Sequence, residues 1–447
     1  MSEHTSTRRR VLQGIAASGL TIGFIGTGSA ESGTTYVVTG GSRRKLKKAG
    51  FSVTRELAGG SVAIVSGPAD AESDLKSVGG VSGVTENFEV ELANPVTEDH
   101  TTKQASFTEL QWDKEITDTF EAHHYATGDD TRIVIADTGV DGTHPDLAGN
   151  FNEGLSRSFI NGGEEAPHMG PAGGDHATHV AGTAAATGDV GITGTAPDAE
   201  IVSVRVLGPD SSSFADVLAG ADYAAEIGAD ATNFSLGAGP YPSQANSDGL
   251  RVAVQKVMQD VARRGTVLTV SAGNNETNLQ QGQSCREITN DDGEVVDVVC
   301  DNWHYVPGTV QGVMTISATT PNDELAFYSN YGTNAIEVGA PGGGYETLAK
   351  TVDPTADVEW PYPTNLVYSS IPGASYGWKA GTSMAAPQVA GLVGLVRELK
   401  PGLKVNQVEN IIAHGADLVQ GRSSPEFGAG RINVLDTVER VGGSGGD

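Results

Sequence analysis

From about residue 110 onward, apolar runs alternate with amphipathic stretches, and this alternation limits the folds open to the chain more than any other feature. RIVIADTGV, EIVSVRVLG, DATNFSLG, TVLTVSAGN and GVMTISATT read as buried strands, with FADVLAGADYAAEIG and LRVAVQKVMQDVARRG as helices between them. Strands apolar on both faces and joined by helices predict an α/β fold, a mostly parallel sheet with helices on both faces. Reactive groups in such folds gather at the carboxyl ends of the strands. At 447 residues the chain is long for one domain, which implies a major domain and something smaller. Residues 34–94 have their own pattern: YVVTG, SRRKLKKAG, FSVTREL, SVAIVSG, ADAESDLKSVG and VSGVTENFEVEL read strand, helix, strand, strand, helix, strand. That order suggests a small α+β ferredoxin-like unit. NPVTEDHTTKQAS then reads as an exposed linker, within a boundary region over 95–109, and the major domain runs over 110–440.

Charge divides the chain at the same place. Residues 1–103 carry 11 Lys+Arg against 11 Asp+Glu, whereas residues 104–447 carry 17 against 45 and supply the whole net charge of −28. Such a surface repels nucleic acid and anionic lipid, both polyanions. It also repels itself unless salt screens it, and at molar salt the Debye length falls to about 3 Å. With only 6 Lys beside 11 Arg, the acidic segment fits a protein that works in concentrated salt.

The N-terminus reads as an export signal over residues 1–30. STRRRVLQ is a twin-arginine pattern, GIAASGLTIGFIGTG follows as an apolar stretch, and Gly28-Ser29-Ala30 offers a small-residue cleavage site. A secreted, extracellular protein is expected, and no later segment approaches the length of a membrane span. Outside the cytoplasm, the two cysteines Cys285 and Cys300 fit a disulfide better than a redox pair. Two free thiols are the alternative, and zinc has no matching histidine spacing.

Several strand ends carry chemistry. RIVIAD ends on Asp137, a carboxylate where a buried strand emerges. TVLTVSAGN ends on Asn274 after a glycine turn, and GWKAGTSMAAPQVAGLVGLV places Ser383 between a glycine turn and a small-residue helix, where it could also serve as a helix cap. GGDHATHVAGTAAATG holds His176 and His179 three residues apart, open to reading as a metal site, a general base with a bystander, or packing. Together these residues supply a nucleophile (Ser383), a base (His176), a carboxylate to orient the base (Asp137) and an oxyanion donor (Asn274). A serine hydroxyl needs an imidazole to take its proton, and the imidazole needs its tautomer fixed.

IADTGVDGTHPDL, DHATHVAGT, SAGN and GTSMAAPQVAG resemble the Asp, His, oxyanion-Asn and Ser blocks of the subtilisin-like serine proteases, in that family's order. The resemblance spans about 110–440 and includes VRVLGPD, NFSLG, FYSNYG, VGAPGG, YSSIPGASYGWKAGTSM and FGAGRINV. The export signal and the acidic segment look most like the halolysin branch. A decayed, non-cutting scaffold would be expected to have lost a triad member. An α/β-hydrolase esterase would need GxSxG, whereas the chain has Gly381-Thr382-Ser383-Met384-Ala385.

The resemblance implies a secreted serine endopeptidase acting on polypeptides, monomeric, with no cofactor required for chemistry. It makes His176 the base and His179 a packing or hydrogen-bonding residue, and no HExxH pattern supports a metal there. Ala177 stands where the family usually has Gly, and Gln388 where a His is common. The resemblance also implies substrate bound as an added β-strand along Ser235, Leu236 and Gly237 and along the Ser211–Phe214 loop. It allows a structural calcium with Asp146 of HPDL as a ligand, although the partner loop TGDVGIT is short. Residues 34–94 become a propeptide that partners its own protease, with processing in the linker. Insertions near 276–303 and 345–367 have no family counterpart.

Overall fold

The Val- and Ile-rich runs form the strands expected of them. The computed structural model describes residues 33–87, 90, 96–98, 107–160, 174–208, 213–243, 249–280, 284–289, 295–344, 365–419 and 425–443. The twin-arginine segment lies outside the described residues, as does 345–364 of the second insertion. Among the described residues, no helix is long and apolar enough to cross a membrane.

The first unit contains β1 (Thr34–Gly40), α1 (Arg43–Lys48), β2 (Ser52–Leu57), β3 (Val62–Gly67), α2 (Glu72–Ser77) and β4 (Val81–Glu86). Its strands pair antiparallel in the order β2-β3-β1-β4, as a ferredoxin-like pattern requires. Because successive strand residues face opposite ways, Tyr36, Val38 and Val65 pack with Leu46 and Leu75 of the unit's own helices. Val37, Val62 and Ile64 face away and share a core with the larger unit. Val96–Glu98, expected within an exposed linker, instead form a short strand, β5.

The larger unit begins with two single turns, α3 (Trp112–Glu115) and α4 (Thr119–Ala122). There follow β6 (Arg132–Asp137), β7 (Arg157–Ser158), α5 (His176–Ala185), β8 (Glu200–Arg205), α6 (Phe214–Glu226), β9 (Ala231–Phe234), β10 (Ala238–Pro242), α7 (Leu250–Arg263) and β11 (Val267–Ser271). The chain continues through β12 (Ser284–Thr289), β13 (Val295–Asp301), β14 (Trp303–Val306), β15 (Met314–Thr319), β16 (Val338–Pro341), β17 (Val367–Ile371) and β18 (Ser375–Ala380). Three helices close it: α8 (Thr382–Leu399), α9 (Val405–Gly415) and α10 (Val434–Gly443).

Seven strands make a parallel sheet in the order β16-β15-β11-β9-β6-β8-β7. Its two faces take alternate residues. Ile133, Ile135, Ile201 and Val267 pack with α5 and α8, whereas Val134, Ala136, Val202 and Leu268 pack with α6 and α7. The first unit docks on the α6–α7 side: Asn87 Oδ1 accepts the Ala215 N–H at 3.0 Å, and the Arg55 guanidinium lies 5.2 Å from the Phe159 ring centre. In the first insertion, β12 and β13 form a hairpin in which Cys285 faces Cys300, and a disulfide joins them. β5 adds an antiparallel edge to β18 of the β17–β18 hairpin.

Helices α5 and α8 are buried along nearly their whole length, which only small side chains permit when sheet and hairpin press from both sides. A Cβ on Gly391 of α8 would lie 2.6 Å from Thr195 Cβ and 2.8 Å from the Ala184 carbonyl oxygen. The C-terminal end of α5 is held by the buried Lys114. Its Nζ donates to Thr183 O and Thr195 Oγ1, both at 3.0 Å, and pairs with Asp113 Oδ2 at 3.2 Å. Burial lowers the Lys114 pKa and the Asp113 charge opposes this. A cation there also complements the helix dipole. Gly391→Ala forces the helix contact apart. It is expected to cost about 1–3 kcal/mol in urea denaturation, the usual penalty for overpacking, and to lower kcat because the first turns of α5 and α8 separate.

Candidate active site

Asp137, the last residue of β6, is fully buried at the carboxyl end of the sheet and accepts the Thr138 N–H at 2.7 Å. His176 opens α5, and its Nδ1 lies 2.9 Å and 3.0 Å from the two Asp137 oxygens. A carboxylate can only accept, so Nδ1 carries a proton, and in the neutral ring Nε2 is then the nitrogen with the lone pair. Nε2 is buried and has no partner among the described residues. The residue before the histidine is fixed as well. Asp175 Oδ2 receives the ammonium of Lys379 at 2.8 Å, and that lysine, almost wholly buried, stands four residues before Ser383. One ion pair thus ties the start of the histidine helix to the strand leading into the serine helix. Its sequence signal was a lysine amid apolar and small residues in GWKAG, which the motif reading passed over.

Ser383 lies in the first turn of α8, where Pro387 shapes its surroundings. Proline lacks an N–H, so Pro387 cannot bond the carbonyl four residues back, which is that of Ser383. The Ser235 hydroxyl takes that place and donates to Ser383 O at 2.7 Å. In return Ser383 Oγ donates to Ser235 O at 3.2 Å. Asn274 follows Gly273, whose φ of 94° makes the turn off β11. Asn274 Oδ1 accepts from Thr382 N at 3.0 Å and Thr382 Oγ1 at 2.8 Å. A backbone N–H only donates, so the oxygen faces Thr382 and Nδ2 points away from it. A Cβ on Gly381 would lie 3.2 Å from that Nδ2, and glycine keeps the amide clear.

The structure therefore forms the Asp137–His176 pair and gathers Asn274, Ser235 and Ser383 around the first turn of α8. It pairs the Ser383 hydroxyl with Ser235 rather than with His176. Such hydrogen bonds often tighten only with substrate present. His179 is fully buried, with Nε2 3.1 Å from Val367 O and 3.2 Å from Gly377 O. Burial, then the Lys379 charge, lowers its pKa well below the ordinary histidine range, so it stays neutral and ties α5 to the β17–β18 hairpin. Gln388 is an interior strut, donating from Nε2 to Pro341 O at 2.6 Å.

The substrate edge and the calcium ligand are the remaining expectations. In the Ser211–Phe214 loop, 211 and 212 lie outside the described residues, Ser213 Oγ caps α6 by accepting Asp216 N at 3.2 Å, and Phe214 fills the core. Leu236 likewise turns its side chain into that core, so an added substrate strand would meet the backbone of these segments, as strand addition requires. Asp146 does not fit a calcium ligand. Its oxygens accept N–H groups from Val190 at 2.7 Å, Gly191 at 3.0 Å and Ile192 at 3.2 Å, with the Tyr376 hydroxyl at 2.6 Å. These donors use the acceptor sites a cation would need, and the short TGDVGIT loop brings its N–H groups to the carboxylate. Among the described residues, no group of three or more His, Cys, Asp or Glu could hold a metal ion. Asp146→Ala is expected to cost at least about 3 kcal/mol, since several buried donors lose their acceptor. Thermal melts should show the same loss in chelator and in millimolar calcium.

The subtilase family profile matches residues 128–430. Thermitase of Thermoactinomyces vulgaris is 30% identical over 322 residues, covering 71% of this chain and 92% of that protein. Subtilisin Savinase of Lederbergia lenta is 28% identical over 310 residues, covering 69% and 90%. Among solved structures, the epidermin leader peptide processing serine protease of Staphylococcus aureus superposes with a TM-score of 0.70 at 20% identity, covering 91% of this chain and 98% of that one. With the family matched over most of its length, the chain belongs to the subtilases, a family of serine endopeptidases.

Proposed function

We propose that this subtilase is a secreted, salt-adapted endopeptidase that works through Asp137, His176, Ser383 and Asn274 and is made as a preproprotein. The observation that carries the proposal is the contact of His176 Nδ1 with both Asp137 oxygens, which leaves Nε2 as a base. Nε2 takes the proton of Ser383 Oγ as the oxygen attacks the substrate carbonyl carbon, and the imidazolium faces the Asp137 carboxylate. The carbonyl oxygen becomes an oxyanion and receives the Asn274 Nδ2–H, whose orientation Thr382 has already set. The protonated His176 then donates to the leaving amine, and water repeats the sequence on the acyl-enzyme. The Asp146 carboxylate is taken up by its N–H and hydroxyl donors, and the steps above run on side chains of the protein and water.

The first unit acts as the propeptide. Its support is the core shared with α6 and α7, and the pairing of β5 with Lys379 and Ala380, just before the nucleophile. Cleavage in the linker, around Asn94 to Ser106, frees a monomeric acidic enzyme after export by the twin-arginine signal. The residue counts that place all the excess negative charge after residue 103 support the salt adaptation and the halolysin-like branch.

Ser383→Ala should lower kcat/KM on an unfolded protein substrate by ~10⁴-fold or more while leaving the denaturation midpoint unchanged. N-terminal sequencing of that variant, made in a host without other proteases, should find residues 34–94 still attached. Near-normal activity would overturn the nucleophile assignment, and normal maturation the self-processing. Raising sodium chloride from about 0.1 M to about 1 M shortens the Debye length from about 10 Å to about 3 Å. Both melting temperature and peptide hydrolysis should rise at fixed calcium. A flat or falling response in sodium and potassium chloride would end the salt-adaptation proposal and leave the protease one standing.

A further inference from the structure

The parallel sheet sets β9 and β11 side by side, so the segments leaving their carboxyl ends, Ser235-Leu236-Gly237 and Ala272-Gly273-Asn274, bound one crevice. The first lies against the nucleophile, through the Ser235 bonds to Ser383, and the second carries the amide that would face the oxyanion. On the protease reading, a substrate carbonyl attacked by Ser383 would lie between these segments. The side chain of the residue that supplies the carbonyl has the crevice between Gly237 and Gly273 to enter, since neither wall presents a Cβ there.

Tyr305 stands in that crevice. A Cβ on Gly237 would lie 2.4 Å from Tyr305 Cε1, and one on Gly273 would lie 2.8 Å from Tyr305 Cε2. Opposite edges of one ring thus face the two glycines. The ring is also held from behind. Tyr305 belongs to β14, which pairs antiparallel with β10, the strand continuing directly from Gly237, with Ala238 opposite Val306. Its phenol is buried, which raises its pKa, and a hydrogen bond with Ser271 opposes part of that rise. Leu279 and Ala335 pack with it.

Resting on the protease reading, we infer that Tyr305 is a specificity-determining residue: its ring fills the floor of the acyl-side pocket and restricts the residue before the scissile bond to small side chains such as Gly, Ala or Ser. A phenylalanine side chain at that position would have to bury an area comparable to the one the tyrosine ring already occupies. It can enter only by displacing a ring held through strand pairing and the Ser271 bond.

The test uses the protein made as the full chain and left to process itself, with peptide anilides identical except for Ala or Phe before the scissile bond. The wild type should favour Ala over Phe in kcat/KM by ~100-fold, the scale at which pocket shape discriminates. Tyr305→Ala should reduce that ratio at least ~10-fold, through a rise in the Phe value. Tyr305→Leu should shift the ratio in the same direction, and serves where the alanine variant does not fold. Tyr305→Phe should keep the wild-type ratio, because the ring stays and only the Ser271 bond is lost. Cleavage sites mapped by mass spectrometry on an unfolded protein, with the wild type alone, should follow small residues. The inference is overturned if the wild type accepts Phe as readily as Ala. It is equally overturned if Tyr305→Ala lowers both values in proportion, the behaviour of a structural pillar. A wild type that cleaves neither anilide nor unfolded protein would instead bring down the protease reading, and this inference with it.

Discussion

The close contact of α5 with α8 is the constraint on which the site depends. Each helix carries one reactive side chain on its first turn, His176 and Ser383, so the distance between helix axes governs whether those groups can meet. Small residues set that distance. Gly391 of α8 admits the Ala184 carbonyl of α5 and Thr195, while on the other side of α5 Gly182 admits the hydroxyls of Ser369 and Ser370 from β17, positions where any Cβ would collide. Dispersion and apolar burial act along the whole contact, which is why two helices of modest hydrophobicity can lie in the interior.

Packing brings the helices together, and hydrogen bonds then orient the reactive atoms. Pro387 withholds a donor from the Ser383 carbonyl, and Ser235 supplies one. Thr382 holds the amide oxygen of Asn274, and that choice directs the nitrogen. Asp137 fixes the tautomer of His176. In each case a group that would be costly to bury unpaired is satisfied by a neighbour that also sets a direction. The Asp175–Lys379 pair belongs to the same scheme, joining the starts of both reactive segments at 2.8 Å. The Asp146 carboxylate does for the short loop after α5 what a cation can do for a longer one, gathering backbone groups around a single charge.

The two sheet faces divide the labour. One packs α5 and α8, which bear His176 and Ser383, while the other packs α6 and α7 and takes the N-terminal unit into a common core. Strand alternation makes this possible, since residues 133 and 135 serve one face and 134 and 136 the other. The N-terminal unit therefore docks away from α5 and α8, and among the described residues β5 pairs with the strand that precedes Ser383.

The sequence by itself determined the α/β class, the order of elements in the ferredoxin-like unit and the residues at the strand ends. All of these follow from local periodicity and from motifs contiguous in the chain, which survive without knowledge of distant neighbours. The hydrogen-bonding place of His179 agrees with what the resemblance of the DHATH block implied. Tertiary structure alone decided the rest. The Asp175–Lys379 pair joins residues 204 apart in sequence, Asp146 meets Tyr376 across 230, and Tyr305 enters a crevice built from three separate segments. It also sent the Ser213 hydroxyl to a helix cap and the Phe214 and Leu236 side chains into the core, contacts that motif position alone does not reveal. A pattern in sequence fixes which backbone a segment adopts, but the partner of a buried polar group is whatever atom the fold delivers to it, and that is a property of three dimensions.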